Sequence, residues 1–123
     1  MKLEYGSDEV RRQCTNIKAA AKLFGGDRQL ALKLHSRINA LEQAEVIRDI
    51  VVQPTFRFHD LKNKNGCNLE GFFAIDVKTK KEPWRIILQP LDMDGNPFAP
   101  CNIDEVSGIV RIVGIREVSK HYE

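Results

Sequence analysis

Apolar positions in this chain fall into two regimes that meet near residue 54. In the first half they recur at helical spacing. Leu30, Leu34, Ile38 and Leu41 form one buried stripe, and Arg28, Lys33, Arg37 and Glu42 fall on the face left to water. This predicts a helix over 27–44. Before it, Lys2 to Tyr5 reads as a short opening strand, at the edge or the centre of a sheet. Ser7 is a candidate N-cap, with Asp8 and Glu9 in the first turn of a helix that runs to about Cys14. Thr15 can cap a second piece, Ile17 to Phe24, and the two pieces are equally readable as one bent helix. Gly25-Gly26 stops it. The paired helices make an α-hairpin whose apolar faces need a sheet to cover.

In the second half the period changes to that of strands. Phe56-Arg57-Phe58-His59 alternates, and Phe72 to Val77 and Trp84 to Leu88 follow as β-type runs. Asn63-Lys64-Asn65-Gly66 marks a turn between them. Val46 to Val52 is apolar and reads as a short helix or an extended linker that lays Ile47 and Ile50 on the core. Asp92 to Ser107 reads as a long loop. Its Asp92-Met93-Asp94-Gly95-Asn96 segment has its glycine too early for a calcium loop and fits a turn. Gly108 to Val118 is apolar on both faces, which places it centrally in the sheet. The expected architecture is α/β (α+β): one compact domain over 1–123, a helical hairpin packed on an antiparallel sheet.

Composition narrows the function classes. Of 123 residues, 42% are hydrophobic and 29% charged, enough for a core in one domain with a polar surface. No apolar run approaches a membrane span, and the start of the chain has no signal-like apolar segment. A cytoplasmic protein without membrane association is expected. Cys14, Cys67 and Cys101 are an odd number without CxxC spacing, which fits reduced thiols. The net charge of +2 does not by itself announce a nucleic-acid binder. Cations do gather from Arg57 to Arg85, where seven of them face four acids. No zinc spacing, phosphate loop or nucleophile elbow is present, and no cofactor is expected.

Three constellations carry candidate chemistry. In Arg57-Phe58-His59-Asp60-Leu61-Lys62, a strand would turn Arg57 and His59 to one side, with Lys62 at its end. Imidazole moves protons near neutral pH, and Lys and Arg hold a phosphate or its transition state. RNA brings its own nucleophile, the 2′-OH. A protein that deprotonates it, neutralises the phosphorane and protonates the leaving oxygen needs no metal. The bland reading of the same stretch is a surface strand with solvated charges. Trp84-Arg85 offers a guanidinium that forks onto a phosphate, or one that pairs with Asp76 or Glu70 on the neighbouring strand. His121-Tyr122 offers a proton donor and a stacking ring, or a frayed tail. His35 lies within the long helix and reads as a surface or packing residue.

The order R-x-H-x-L-K, turn, G-F-F-A-I-D, W-R-I-I-L-Q-P and I-R-E-V-x-K-H-Y resembles the HigB branch of the RelE-like toxins, the plasmid-maintenance killer proteins of bacterial toxin–antitoxin pairs. The resemblance covers nearly the whole chain. It implies a compact ribonuclease-like α/β domain that cuts messenger RNA on the ribosome and so inhibits translation. It also implies a tight helix-turn-helix antitoxin (HigA-like), with operator DNA bound only through the complex. His59 and Lys62 fall on the family's H-x-L-K positions and Arg85 on the arginine of its W/Y-R strand. The family's usual terminal Asp-Tyr-His is Lys120-His121-Tyr122 here. The expected site is therefore His59, Lys62, Arg85 and His121 for catalysis, with Arg57, Lys64 and Tyr122 on the RNA. The alternative is a non-enzymatic toxin of the same fold that acts by protein binding alone, on gyrase or on its antitoxin.

Overall fold

The computed structural model describes residues 1–61 and 69–122. Lys62, Lys64, Cys67 and the turn expected at 63–66 lie outside them. Among the described residues, five strands form one sheet in the order β1-β5-β4-β3-β2, with five α-helices around it.

The N-terminal helices start where short polar side chains satisfy free backbone N–H groups. Ser7 Oγ accepts from Val10 N–H at 3.2 Å and opens α1 (Asp8–Thr15). Asn16 Oδ1 accepts from Ala19 N–H at 3.0 Å and opens α2 (Ile17–Leu23). The cap expected at Thr15 belongs to Asn16 instead, because the Thr15 hydroxyl donates back to the Arg11 carbonyl at 2.7 Å. Asn16 is extended, so α1 and α2 are two helices rather than one bent helix. Gly25 and Gly26, at φ 66° and 94°, end α2 in the left-handed conformation that glycine adopts without penalty. Asp27 then caps α3 (Arg28–Gln43), whose Leu30, Leu34, Ile38 and Leu41 are all buried.

The sheet is mixed, which corrects the expected antiparallel one. β1 (Lys2–Tyr5) runs parallel to β5 (Ile112–Ser119), while β5, β4 (Arg85–Leu91), β3 (Phe73–Asp76) and β2 (His59–Asp60) pair antiparallel. Parallel strands need a long crossover. Here everything between β1 and β5 supplies it. β5 lies between β1 and β4, as its two apolar faces foretold, although it begins at Ile112 rather than Gly108. The Val46–Val52 stretch resolves into α4 (Arg48–Val51), and Ile47 and Ile50 are buried. The long loop contains a helix that its composition hid, α5 (Ile103–Val106). The turn expected at Asp92 to Asn96 is closed by Asp92 Oδ1, which accepts from the N–H groups of Asp94 and Asn96.

The register assigns the two faces. Ile75, Ile86 and Val118 lie in one row, and Leu88 and Ile115 in another, all in the core with the helices. The opposite face carries Ala74 and Ile87. They form a second cluster with Leu61, against which Leu69, Phe72 and Tyr122 pack, and no helix residue contributes to it. Among the described residues this face is free of helices, and the candidate chemistry collects on it.

Candidate functional site

Sequence alternation puts Arg57 and His59 on one strand. The structure separates them. Pro54 starts a single 3-10 turn, Pro54–Phe56, and Arg57 follows in the left-handed region at φ 48°. Only His59 and Asp60 form the strand, opposite Ala74 and Phe73. A left-handed arginine is uncommon, and Asp76 supplies a reason for it. Arg57 Nε donates to both Asp76 oxygens, at 3.1 and 2.9 Å. Asp76 is 2% exposed and sits in register with Arg85.

Arg85 completes that cluster from inside. It is 1% exposed, and its Nε lies 3.2 Å from Asp76 Oδ1. Its Nη1 donates to the carbonyls of Trp84 at 2.9 Å and of Glu82, and its Nη2 donates to that of Lys80 at 2.9 Å. The guanidinium therefore ties up the loop between β3 and β4. The phosphate fork expected of Arg85 is not what this geometry offers. Of the two readings open in the sequence, the ion pair with Asp76 is the one realised. Arg37 also comes in from α3, although its spacing predicted a solvent-facing residue. It stacks over Phe56 at 4.6 Å and donates from Nε to the Asp76 carbonyl at 3.1 Å. Burial pushes its guanidinium pKa down and the Asp76 carboxylate opposes that. Two guanidiniums thus meet the Asp76 carboxylate, and a third is held by the backbone carbonyl of the same residue. Arg57, with 30% of its side chain exposed, brings its charge to the surface.

His59 stands next to this cluster. Its Nδ1 lies 2.7 Å from the Arg57 carbonyl oxygen. A carbonyl only accepts, so Nδ1 carries the hydrogen, and in the neutral ring Nε2 holds the lone pair. Nε2 is buried and has no hydrogen-bond partner among the described residues. Buried polar atoms without partners are rare, and each needs an explanation. His59 also lines an open cleft of about 1030 Å³ along the β2 edge. Val51, Phe58, Phe73 and Ile103 contribute apolar walls to it, and Asp60 and Asp104 contribute carboxylates.

The C-terminal pair divides. His121 is exposed, with its backbone N–H on Ser119 Oγ at 3.1 Å. Tyr122 is half-buried and packs on Leu61, Ala74 and Ile87. Its ring is therefore on the face that carries His59, and the frayed-tail reading does not hold for Tyr122. Trp84 meets Phe24 edge-on at 4.9 Å between centroids, and Lys120 Nζ lies 5.7 Å above its ring, so it is a packing residue. Lys62 and Lys64 lie outside the described residues.

One group escaped the sequence reading. The β4–β5 register shifts between Ile87 and Leu88, which makes Arg116 the extra residue of a bulge. Its Nε donates to Gln89 Oε1 at 2.7 Å. A glycine within an apolar strand (Gly114) and a lone amide within another (Gln89) were the available signals.

Comparison with protein-family models, with curated proteins and with solved structures found no match.

Proposed function

We propose that this protein is a RelE-like toxin, an endoribonuclease that cuts messenger RNA by 2′-OH attack on the adjacent phosphorus. His59 Nε2 takes the hydroxyl proton, and the phosphorus–O5′ bond breaks as the new phosphorus–O2′ bond forms. The products are a 2′,3′-cyclic phosphate and a 5′-hydroxyl. His121 protonates the leaving oxygen, Tyr122 stacks on a base, and Arg57 and the lysines at 62 and 64 hold the phosphates. Arg85 supports this site indirectly, by fixing Asp76 and through it Arg57. The ribosome is the place of action, and a helix-turn-helix antitoxin is the partner that neutralises the protein.

One observation carries this reading. His59 has Nδ1 fixed on a carbonyl and a partnerless lone pair on Nε2, the tautomer a general base requires, and because Nε2 is buried the site must open to the 2′-OH when RNA binds. Arg57 adds support, since it is 30% exposed beside His59 and offers a phosphodiester a cation there. The test is end analysis of RNA cut by the purified protein during in-vitro translation. A 3′-hydroxyl on the upstream fragment contradicts the mechanism.

A second reading is favoured by the cleft beside His59. Carboxylates of Asp60 and Asp104 line it, and among the described residues no Lys or Arg does. A cleft of this sign suits a basic protein segment, as a toxin acting only by protein binding would require. Growth inhibition that persists in His59→Asn, with no RNA cut, selects this reading.

A further inference from the structure

Spacing along α3 assigns Arg37 to water, yet its guanidinium crosses to the end of the sheet and engages main-chain atoms there. Nε donates to the carbonyls of Asp76 at 3.1 Å and Val77 at 3.3 Å, and Nη2 donates to those of Thr55 at 3.1 Å and Lys78 at 3.4 Å. Its Cζ lies 4.6 Å from the centre of the Phe56 ring. Among the described residues it makes no ion pair. A cation that takes four neutral carbonyls and a ring fixes backbone rather than neutralising a carboxylate. These carbonyls belong to two segments that the sheet leaves apart. The β2–β3 ladder ends at His59–Ala74. The same register carried onward sets Phe56 beside Val77 and Thr55 beside Lys78. Among the described residues no rung forms there, because the 3-10 turn and the left-handed Arg57 take the chain out of the extended form. Arg37 stands in for the missing rungs.

We propose that Arg37 is a positioning residue for His59: by pinning the Pro54–Phe56 turn to the end of β3, it aims the Arg57 carbonyl at Nδ1 and so keeps the lone pair on Nε2. The chain of contacts is short. Phe56 directly precedes Arg57, whose carbonyl meets His59 Nδ1 at 2.7 Å. At φ 48°, Arg57 occupies a backbone region that arginine rarely adopts, and it stays there only under restraint. Asp76 restrains its side chain through Nε at 2.9 and 3.1 Å. Arg37 restrains the turn that leads into it. Released from that turn, Arg57 relaxes toward negative φ and its carbonyl swings off Nδ1. Nothing then holds the hydrogen of the neutral ring on Nδ1, and it moves to Nε2, where it blocks proton uptake. Lysine cannot take this place, since an ammonium has neither a flat face for Phe56 nor a fork that spans the two segments. The catalytic consequence rests on the reading of His59 as general base, and the effect on the ring does not.

The experiment reads the ring directly. Two-bond proton–nitrogen spectra of ¹⁵N-labelled protein, at about pH 8.5 where an ordinary imidazole is neutral, separate the nitrogen that carries hydrogen from the one that holds the lone pair. His59→Asn identifies the His59 signals. Parent, Arg37→Gln and Arg37→Lys are compared, with unfolding temperature and cleavage kinetics on ribosome-bound messenger measured for each preparation. The parent is expected to carry the hydrogen on Nδ1, and Arg37→Gln to carry it mainly on Nε2. Its kcat is expected to fall about tenfold or more, with KM within about twofold because no phosphate contact is lost. Arg37→Lys, which keeps the charge, is expected to behave as Arg37→Gln, and it carries the test if Arg37→Gln does not fold. A merely structural arginine would lower the unfolding temperature and leave the ring as it is. Hydrogen that stays on Nδ1 in a folded variant therefore overturns the proposal, as does hydrogen on Nε2 in the parent. Failure of both variants to fold also overturns it, since Arg37 would then hold the fold rather than the ring. Ring signals that move while cleavage does not, or a parent that cuts no RNA, remove His59 as the base and leave the positioning standing.

Discussion

Asp76 is the residue on which most of the site's order depends. It is buried between Arg57 and Arg85, and its own backbone carbonyl holds Arg37. Removing one partner of a buried pair leaves the other charges uncompensated. Asp76→Asn is expected to destabilise the fold by about 3 kcal/mol or more, measured by urea unfolding, and a loss below about 1 kcal/mol would show the cluster to be solvent-relaxed. Arg85→Ala would then abolish cleavage through the fold, so its unfolding must be measured before any chemical role is assigned. Two other groups, the buried Cys14 and the half-buried Tyr5, set an alkaline limit. Burial raises the Cys14 thiol from 9.0 to about 12 and the Tyr5 phenol from 10.0 to about 12. Both folded pKa values lie above their unfolded ones, so the folded chain favours the neutral forms. Their stabilisation is complete below about pH 9 and is lost as pH rises from there toward 12. A stability profile that stays flat over that window would contradict their burial. At this scale the sequence was partly legible. Asp76 was visible as one possible partner for Arg85, but only packing decided that the guanidinium faces inward.

Among the elements, β2 and the C-terminal tail depart most from what their residues foretold, for opposite reasons. Alternation in Phe56 to His59 implied a strand, yet Pro54 begins a 3-10 turn and Arg57 is held left-handed by Asp76, so β2 keeps only His59 and Asp60. A tertiary ion pair outweighed local periodicity. A frayed end was one reading of the tail, and Tyr122 packs because β5 ends beside an uncovered cluster. Long periodic segments were read correctly. The α3 stripe and the central place of β5 follow from spacing alone, whereas α5 did not, since four residues in a loop show no period. The tail now separates into two tests. Tyr122→Ala is expected to destabilise by about 1–2 kcal/mol, because it uncovers apolar area, and to weaken cleavage as well. His121→Ala is expected to change stability by less than about 0.5 kcal/mol and to lower cleavage alone. Equal thermal unfolding in Tyr122→Ala and the parent would return the tail to a frayed end.

The whole molecule is divided by its sheet. Helices and the main apolar core occupy one face, and polar chemistry is spread over the other, from His59 at the β2 edge to Arg116 on β5. Among the described residues no helix is long and apolar enough to cross a membrane. The most direct measurement replaces His59 by Asn, whose amide can still donate to the Arg57 carbonyl while the Nε2 lone pair is gone. Parent and variant are compared on the same translated messenger, with unfolding temperature and fragment ends determined for both. The expected result is an equal unfolding temperature, 2′,3′-cyclic phosphate ends from the parent, and a rate lower by about 10²- to 10⁴-fold in the variant. Equal cleavage by the two proteins would contradict the role given to His59.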